Sequence, residues 1–408
     1  MMNIQQKDRY KSLLYKHKSL FPEPNIHFFS SPGRTEIGGN HTDHNHGRVL
    51  CAAVNLDSIA AAARTDEQWV TIYSESFENP FNVSLHDLSI HSEEIGTTEA
   101  LIRGIAARFN ELGYEIGGFN ACINSDVMIG SGLSSSASIE VLIGMIFNTL
   151  YNDNCVSSEQ LAKIGQYAEN VYFGKPCGLM DQLACATGGI IAIDFKHPEN
   201  PRIESVDFDF NTSNYQVLIV DTGGNHADLT EDYAAIPNEM KNIAKVFEKS
   251  VCREVTFEQI MQNLQTLRMA AGDRAVLRAI HFYHENERVI EQVKALKDND
   301  IETFLHLVNA SGLSSFHCLQ NGYSLKNPQQ QGITLTLALT RQFLKGLGTG
   351  ACRVHGGGFA GTIQVFMPND SIADYINWIR PAVGEGSVSI LNIRNSGVRH
   401  LGGEDILK

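Results

Sequence analysis

Apolar residues recur at two different periods along the chain, which predicts a mixture of helices and strands. Between residues 7 and 21 the apolar positions are spaced as on a short amphipathic helix, and the segment 26–31 reads as a strand. Further strands are expected over four segments: 49–63, 69–76, 81–88 and 117–129. The first half is therefore predicted to be strand-rich.

Helices are predicted to dominate the middle of the chain. Over 134–151 several apolar residues have helical spacing: Ile139, Leu142, Ile143, Ile146 and Leu150. A second helix is expected from a Ser-capped start at residue 157 to Gly174, and helices prevail from Pro237 to about Leu344. The end returns to strands, over 351–355, 362–367 and 387–394.

This order of elements predicts an α+β protein built from two lobes. A length of 408 residues is enough for about two domains that each bury a core. The segment 197–202 contains two prolines, which favours a boundary near residue 200. We therefore expect one lobe over 1–200 and another over 201–408.

The charge of the chain limits its partners. Lys and Arg number 32 against 46 Asp and Glu, so the net charge of −14 disfavours nucleic acid and anionic membranes, though not a small anionic ligand. The N-terminus lacks a signal-peptide core, and no run reaches the length of a membrane span. We therefore expect a cytoplasmic protein. The 8 cysteines include no CxxC pair and the chain is too large to need disulfides, so we expect reduced thiols.

The segment 130–137 is predicted to bind phosphate, because it follows a strand and opens a helix. Such a turn directs backbone N–H groups and the positive helix end at one place. It lacks the Gly-Lys-[Ser/Thr] ending of a Walker A loop, and a Ser-rich helix cap is the alternative interpretation. The candidate phosphate-binding residues are Gly130, Ser131, Gly132, Leu133, Ser134, Ser135, Ser136 and Ala137.

Two carboxylates follow the phosphate segment. Glu169 lies within the second predicted helix, and Asp181 lies among apolar neighbours, where an acid is costly unless paired or metal-bound. Mg²⁺ takes one or two carboxylates together with phosphate oxygens, which suits an acid beside a phosphate loop. A solvated helix face for Glu169 and a helix cap for Asp181 are the alternatives.

The segment 33–47 carries a dense group of polar side chains. Its Asn, Asp and His residues could bind sugar hydroxyls, and Arg34 could pair with a carboxylate or a phosphate. The four residues His41, Asp43, His44 and His46 also permit a metal site, although their spacing matches no common zinc pattern. A polar loop without function is the remaining alternative.

Glycines at 356, 358 and 361 match GxGxxG, but a strand rather than a helix is predicted to follow them. A dinucleotide site is therefore not expected at this place. A hairpin whose backbone closely approaches a ligand or another loop fits better, with a plain tight turn as the alternative.

Taken in order, four segments resemble the galactokinase branch of the GHMP small-molecule kinases: 33–47, 130–137, 168–182 and 356–361. The resemblance spans residues 33–361. It implies a two-lobe fold, with an N-terminal ribosomal-protein-S5-like α/β lobe, a C-terminal α+β lobe, and the active site with ATP between them. The implied activity is ATP-dependent phosphorylation of the C1 hydroxyl of a monosaccharide, with galactose as the expected sugar.

The resemblance also assigns roles to residues. Ser136 and Glu169 correspond to Mg²⁺ ligands, Asp181 to the catalytic aspartate near the sugar C1 hydroxyl, and Arg34 to its partner. The implied sugar contacts are Asn40, His41, Asp43 and Tyr233. ATP, Mg²⁺ and a small sugar are thus the expected ligands, and the oligomeric state is left open.

Several residues depart from the family pattern. Asn40 stands where the family usually has Glu facing the sugar C6 end, and Glu36 stands where Asn is usual. His44, Met128 and His355 also differ from the usual Tyr, Pro and small residue. Kinase activity on a sugar modified at C6 or C2, and a non-catalytic sugar and nucleotide sensor, are therefore kept as alternatives. A dinucleotide oxidoreductase is disfavoured.

Overall fold

The computed structural model describes residues 4–128, 130, 132–224 and 229–407. In these ranges the chain forms an eight-stranded sheet and a four-stranded sheet with helices packed on both. The predicted α+β class and two-lobe arrangement are confirmed.

The first half contributes these elements: α1 (Ile4–Leu20), β1 (His27–Gly38), β2 (Arg48–Arg64), β3 (Trp69–Ser74), β4 (Phe81–Ser84), α2 (Thr98–Glu111), β5 (Phe119–Ser125), α3 (Ser135–Tyr151), α4 (Ser158–Tyr167), α5 (Met180–Thr187) and β6 (Ile190–Asp194). A π-helical turn, Ala168–Phe173, extends α4.

The second half contributes these: β7 (Arg202–Val206), β8 (Tyr215–Asp221), α6 (Thr230–Lys245), α7 (Phe257–Gln262), α8 (Leu264–Ala271), α9 (Asp273–Lys297), α10 (Ile301–Ser314), α11 (Gly332–Leu347), β9 (Ala351–Val354), β10 (Thr362–Pro368), α12 (Ile372–Val383), β11 (Val388–Leu391) and β12 (Arg399–Gly402). A second π-helical turn, Ser315–Leu319, extends α10.

The long strand β2 organises the large sheet, whose order is β12-β1-β2-β5-β3-β4. Its first residues pair with β6 and its last residues pair with β5, both antiparallel. The alanine-rich end of β2 is buried on both faces. Ala61 and Ala63 face a cluster that includes α1, while Ala60 and Ala62 face the core formed with α2 and α3. This double burial explains why the strand shows no apolar and polar alternation.

The small sheet has the antiparallel order β11-β8-β10-β9. Helices α11 and α12 cover one face. On the other face, Ile219 and Phe366 share a hydrophobic cluster with Leu50 and Val54 of the large sheet. This hydrophobic cluster therefore joins the two sheets.

The polar segment 33–47 is a loop only in its second part, because β1 continues to Gly38. Its residues pair with β2 as far as Gly38↔Leu50, with register shifts that mark irregularities. Arg34, Thr35 and Glu36 are buried, and the polar run concealed the strand because its side chains bind partners far along the chain. The strand expected over 117–129 ends at Ser125, and Ile129 lies outside the described residues.

The large sheet takes strands from both ends of the chain. Strand β7 pairs with β6, and β12 pairs antiparallel with β1, so residues 202–206 and 399–402 both join the sheet built mainly by the first half. The boundary near residue 200 stays a prediction. No helix within the described ranges is both long and apolar enough to span a membrane.

Candidate active site

The predicted phosphate loop lies between β5 and α3 and touches β1. Gly132 has a φ of +74° and Ser134 a φ of 58°, so the chain turns sharply before α3 begins at Ser135. The backbone N–H of Arg34 donates to Leu133 O at 2.9 Å, which fixes the loop against β1. Ser131 lies outside the described residues.

Ser134 occupies the cap position of α3, yet among the described residues its side chain accepts no cap hydrogen bond. Its hydroxyl instead donates to Asp181 Oδ2. Ser136 and Ala137 follow in the first turn of α3. The geometry therefore favours the functional interpretation of this segment over a simple Ser-rich cap.

Arg34 and Asp181 form a two-pronged ion pair. Arg34 Nε lies 2.8 Å from Asp181 Oδ1, and Nη2 lies 2.7 Å from Oδ2. Arg34 Nη1 donates to Gly132 O, so the same guanidinium grips the phosphate loop. The side chain of Arg34 is 8% exposed and that of Asp181 is 31% exposed, which leaves part of the carboxylate accessible.

Burial alone would raise the pKa of Asp181. The charge and hydrogen bonds of Arg34, together with the Ser134 hydroxyl, outweigh burial and hold that pKa below its usual value. Asp181 also lies in the first turn of α5 rather than at its cap position. The carboxylate is thus kept ionised and pointed at the phosphate loop.

Glu169 is buried at 3% exposure in the π-helical turn after α4, so the alternative of a solvated helix face is wrong. Its Oε1 accepts from Ser136 Oγ at 3.4 Å and from Lys175 Nζ at 2.9 Å. Burial acts against the charge of Lys175, but Glu169 raises the pKa of Lys175 overall. Ser136 and Glu169 are therefore in contact at the start of α3, and their role as Mg²⁺ ligands stays a prediction.

The predicted sugar loop reaches the same place through Asp43. A methyl group on Gly178 would stand 2.0 Å from Asp43 Oδ2, so a side chain at this position would displace the Asp43 carboxylate. Gly178 lies three residues before Asp181. Asp43 Oδ1 accepts from the backbone N–H of His44 at 2.9 Å. Asp43 and the segment that carries Asp181 are thus neighbours.

His41 joins the sugar loop to the glycine-rich hairpin between β9 and β10. Its Nε2 lies 2.9 Å from Gly357 O, and burial lowers the pKa of the imidazole to about 3. Tyr233 of α6 reaches the same hairpin, since its hydroxyl donates to Gly358 O at 3.0 Å. The ring of Tyr233 packs edge-on against Phe359 at 5.5 Å. The expected close approach of this hairpin to another loop is confirmed.

Asn40 is fully buried, and its amide is fully bonded within the protein. Nδ2 donates to Glu36 Oε1 at 3.0 Å and to Gly356 O at 2.7 Å. Oδ1 accepts from Asn321 Nδ2 at 2.9 Å and from Ser315 Oγ at 3.3 Å. An amide has two donor hydrogens and two acceptor positions, so these four bonds use its whole capacity. A direct sugar contact from Asn40 stays a prediction.

Sequence reasoning missed Arg353 and Gln182. Arg353 is fully buried in β9 and its Nη2 lies 2.6 Å from Glu36 Oε1. Gln182 contacts Glu169 and also Glu140, a buried acid whose pKa is raised well above its usual range, first by burial and then by Glu169. The only signal in the sequence was a polar residue, Arg353 or Gln182, among largely apolar neighbours. Within the described ranges, no three His, Cys, Asp or Glu side chains gather as a metal cluster.

Comparison with known proteins agrees with this geometry. The family model of the "GHMP kinases N terminal domain" matches residues 100–189, and that of the "Galactokinase galactose-binding signature" matches residues 15–64. The mevalonate kinase of Methanococcus jannaschii has the same fold, with a TM-score of 0.64 at 17% identity over 90% of this chain and 98% of that one. Fold and site together define a kinase of the GHMP class.

Closer relatives narrow the assignment. The chain is 30% identical to the galactokinase of Clostridium acetobutylicum over 90% of this chain and 91% of that protein, and 31% identical to that of Haemophilus influenzae over 88% of each. A crystal structure of Lactococcus lactis galactokinase complexed with galactose gives a TM-score of 0.83 at 25% identity, covering 96% of this chain and 100% of that one. The chain belongs to the galactokinase family.

Proposed function

We propose that the chain transfers the γ-phosphoryl group of ATP to the C1 hydroxyl of a monosaccharide, with galactose as the first candidate. The observation that carries the proposal is the hydrogen-bonded unit of Arg34, Asp181 and Ser134. This unit joins an accessible carboxylate to a phosphate loop, as transfer between a sugar and a nucleotide requires. Family membership supports the same activity.

In this proposal Asp181 orients the attacking hydroxyl. Its lowered pKa makes it a weak base at neutral pH, so its main contribution is a hydrogen bond that aims the sugar oxygen at the phosphorus atom. The hydroxyl oxygen bonds to the γ-phosphorus while the bond from that phosphorus to the bridging oxygen breaks and ADP leaves. The hydroxyl proton passes to the Asp181 carboxylate late in the transfer, when the hydroxyl has become acidic. Arg34 keeps Asp181 ionised and adds positive charge next to the transferring group.

The phosphate groups are held by the loop 130–137 and the N-terminal end of α3, where backbone N–H groups and the helix dipole favour negative charge. Ser136 and Glu169 fit an Mg²⁺ ion that arrives with the nucleotide, because that ion needs only one or two protein ligands beside phosphate oxygens. When bound, Mg²⁺ would neutralise phosphate charge. Lys175 is poised beside Glu169 to supply further positive charge.

Sugar selectivity is proposed to come from the side of the site formed by His41, Asp43 and Tyr233. His41 stays neutral because of its lowered pKa, so it acts as a hydrogen-bonding group and not as a cation. The family usually has Glu at the position of Asn40, whose neutral amide is buried and bonded within the protein, so this residue brings no charge to the sugar. A sugar modified at C6 is therefore the specific alternative to galactose.

The test is ADP release with galactose, N-acetylgalactosamine, arabinose and galacturonate, each with and without the Asp181→Asn change. We expect sugar-dependent ADP from at least one sugar and its near-complete loss in the variant. Absence of sugar-dependent ADP with every sugar would count against kinase activity. Tight sugar and ATP binding without turnover would favour the sensor alternative.

A further inference from the structure

A second buried carboxylate lies behind Glu169. Glu140, on α3, is 1% exposed. Its Oε2 accepts a hydrogen bond from Gln182 Nε2 at 2.9 Å, and the same nitrogen donates to Glu169 Oε2 at 3.0 Å. One amide group therefore bridges two buried acids.

The two carboxylate oxygens of Glu169 have different partners. Oε2 is turned inward to Gln182, whereas Oε1 is turned to Ser136 and Lys175. A carboxylate that could rotate freely would present either oxygen, or both, to a cation. Here the amide of Gln182 selects Oε1 as the oxygen that faces the phosphate loop.

Packing keeps the bridge in one position. A methyl group on Gly165 of α4 would lie 3.2 Å from Glu140 Oε2 and 3.3 Å from Gln182 Cγ, so both side chains pack closely against this part of α4. Within the described part of the chain, Glu140 Oε1 and Gln182 Oε1 have no hydrogen-bond partner. Buried polar atoms without partners are costly, and such a cost is typical of functional sites.

We propose that Gln182 and Glu140 are positioning residues that orient Glu169 for the divalent cation of the bound nucleotide. Glu140 anchors one hydrogen of the Gln182 amide, which directs the other hydrogen to Glu169 Oε2. This inference rests on the proposed function for the presence of a metal-nucleotide complex, but it requires no sugar and no turnover. Residues that orient metal ligands typically change metal affinity by about 10- to 100-fold when they are replaced.

The experiment measures binding of ADP to the full chain by calorimetry, with Mn²⁺ as the metal and with EDTA as the metal-free case. Gln182→Met keeps the volume and removes the bridge. We expect the affinity for Mn²⁺·ADP to fall about 10-fold or more, while the affinity for metal-free ADP changes by less than about 3-fold. Gln216→Met is the matched control, because Gln216 is also buried and bonded but lies in the small sheet.

Two results would overturn the inference. One is an equal loss of affinity with and without metal in Gln182→Met, which would indicate a structural role. The other is a variant that is indistinguishable from Gln216→Met. If Gln182→Met does not fold, Glu140→Met and Glu140→Gln decide the question. In Glu140→Gln the amide oxygen can still accept from Gln182, so this variant should retain metal affinity, whereas Glu140→Met should lose it. Equal metal affinities of the two variants would contradict the proposal.

Failure of the kinase proposal is recognised separately. A protein that binds Mn²⁺·ADP as expected but releases no ADP with any sugar leaves the positioning role supported and removes only the catalytic one. Wild-type protein that gains no ADP affinity from Mn²⁺ would overturn the positioning role directly. If the protein is active, its metal affinity can also be measured as the Mg²⁺ concentration that gives the half-maximal rate.

Discussion

The replacement Asn40→Asp changes one atom of the buried amide and should be severely destabilising. The new oxygen would stand where Nδ2 now donates to Glu36 Oε1 at 3.0 Å and to Gly356 O at 2.7 Å. Two donor bonds are lost, and two carboxylates then share the neighbourhood of Arg353. Because the side chains have the same shape, the effect is electrostatic rather than steric.

The magnitude follows from the geometry. Two unit charges 3.0 Å apart repel by about 5 kcal/mol at an effective dielectric of about 20. Proton uptake relieves part of this, so we expect a net loss of about 3 to 5 kcal/mol in the free energy of unfolding at about pH 8. The acid pair would have a raised pKa in the fold. The folded state would then bind the extra proton, and stability would be lost as the pH rises above ordinary carboxyl values.

The assay is urea unfolding of wild type and variant at about pH 5.5 and about pH 8. Asn242→Asp, on the exposed surface of α6, is the control for a change of charge alone. The double variant Glu36→Gln with Asn40→Asp exchanges acid and amide and should recover more than half of the lost stability. A loss below about 1 kcal/mol at pH 8, or no dependence on pH, would refute the reasoning.

Three further predictions concern other parts of the site and fold. Asp181→Asn should lower kcat by about 10²- to 10⁴-fold with little change in ADP affinity; near-normal turnover would remove the carboxylate from the chemistry. His27 Nδ1 and His400 Nε2 lie 3.0 Å apart, and burial lowers the pKa of both rings. The melting temperature should therefore fall as pH drops below about 6.5, and His400→Gln should flatten this slope in a pH series. Gly358→Ala should cost about 2 kcal/mol or more, measured by chemical unfolding, because φ is +82° and the methyl would meet Asn321 O at 2.2 Å; wild-type stability would contradict this.

Local patterns in the sequence were sufficient for most helices and strands and for the segment that opens α3. A strand, glycines and serines before a helix are contiguous, so periodicity and composition could reveal them. The resemblance then selected Asp181 and Glu169 among many acids. Both turned out to be partly or wholly buried beside Arg34 and Ser136.

Contacts between distant segments could not be predicted in this way. Glu36 binds Arg353 at a separation of 317 residues, so its segment looked like a polar loop although it is a buried strand. The bridge from Gln182 to Glu140 spans 42 residues and two helices. In each case a buried polar side chain finds its hydrogen-bond partner far away in the sequence. A single sequence does not show which distant residue that partner is.

The pairing of β12 with β1 has a consequence for how the molecule can be made. During synthesis β1 can pair with β12 only after residues 399–402 have been made. The ion pair between Lys18 of α1 and Glu404, at 2.8 Å, also forms only then. A fragment covering the first 200 residues alone would expose the edge of β1 to other chains. A permuted chain in which a linker joins residue 407 to residue 4, so that α1 is kept between β12 and β1, would turn this late, long-range pairing into an early, more local one and should fold faster.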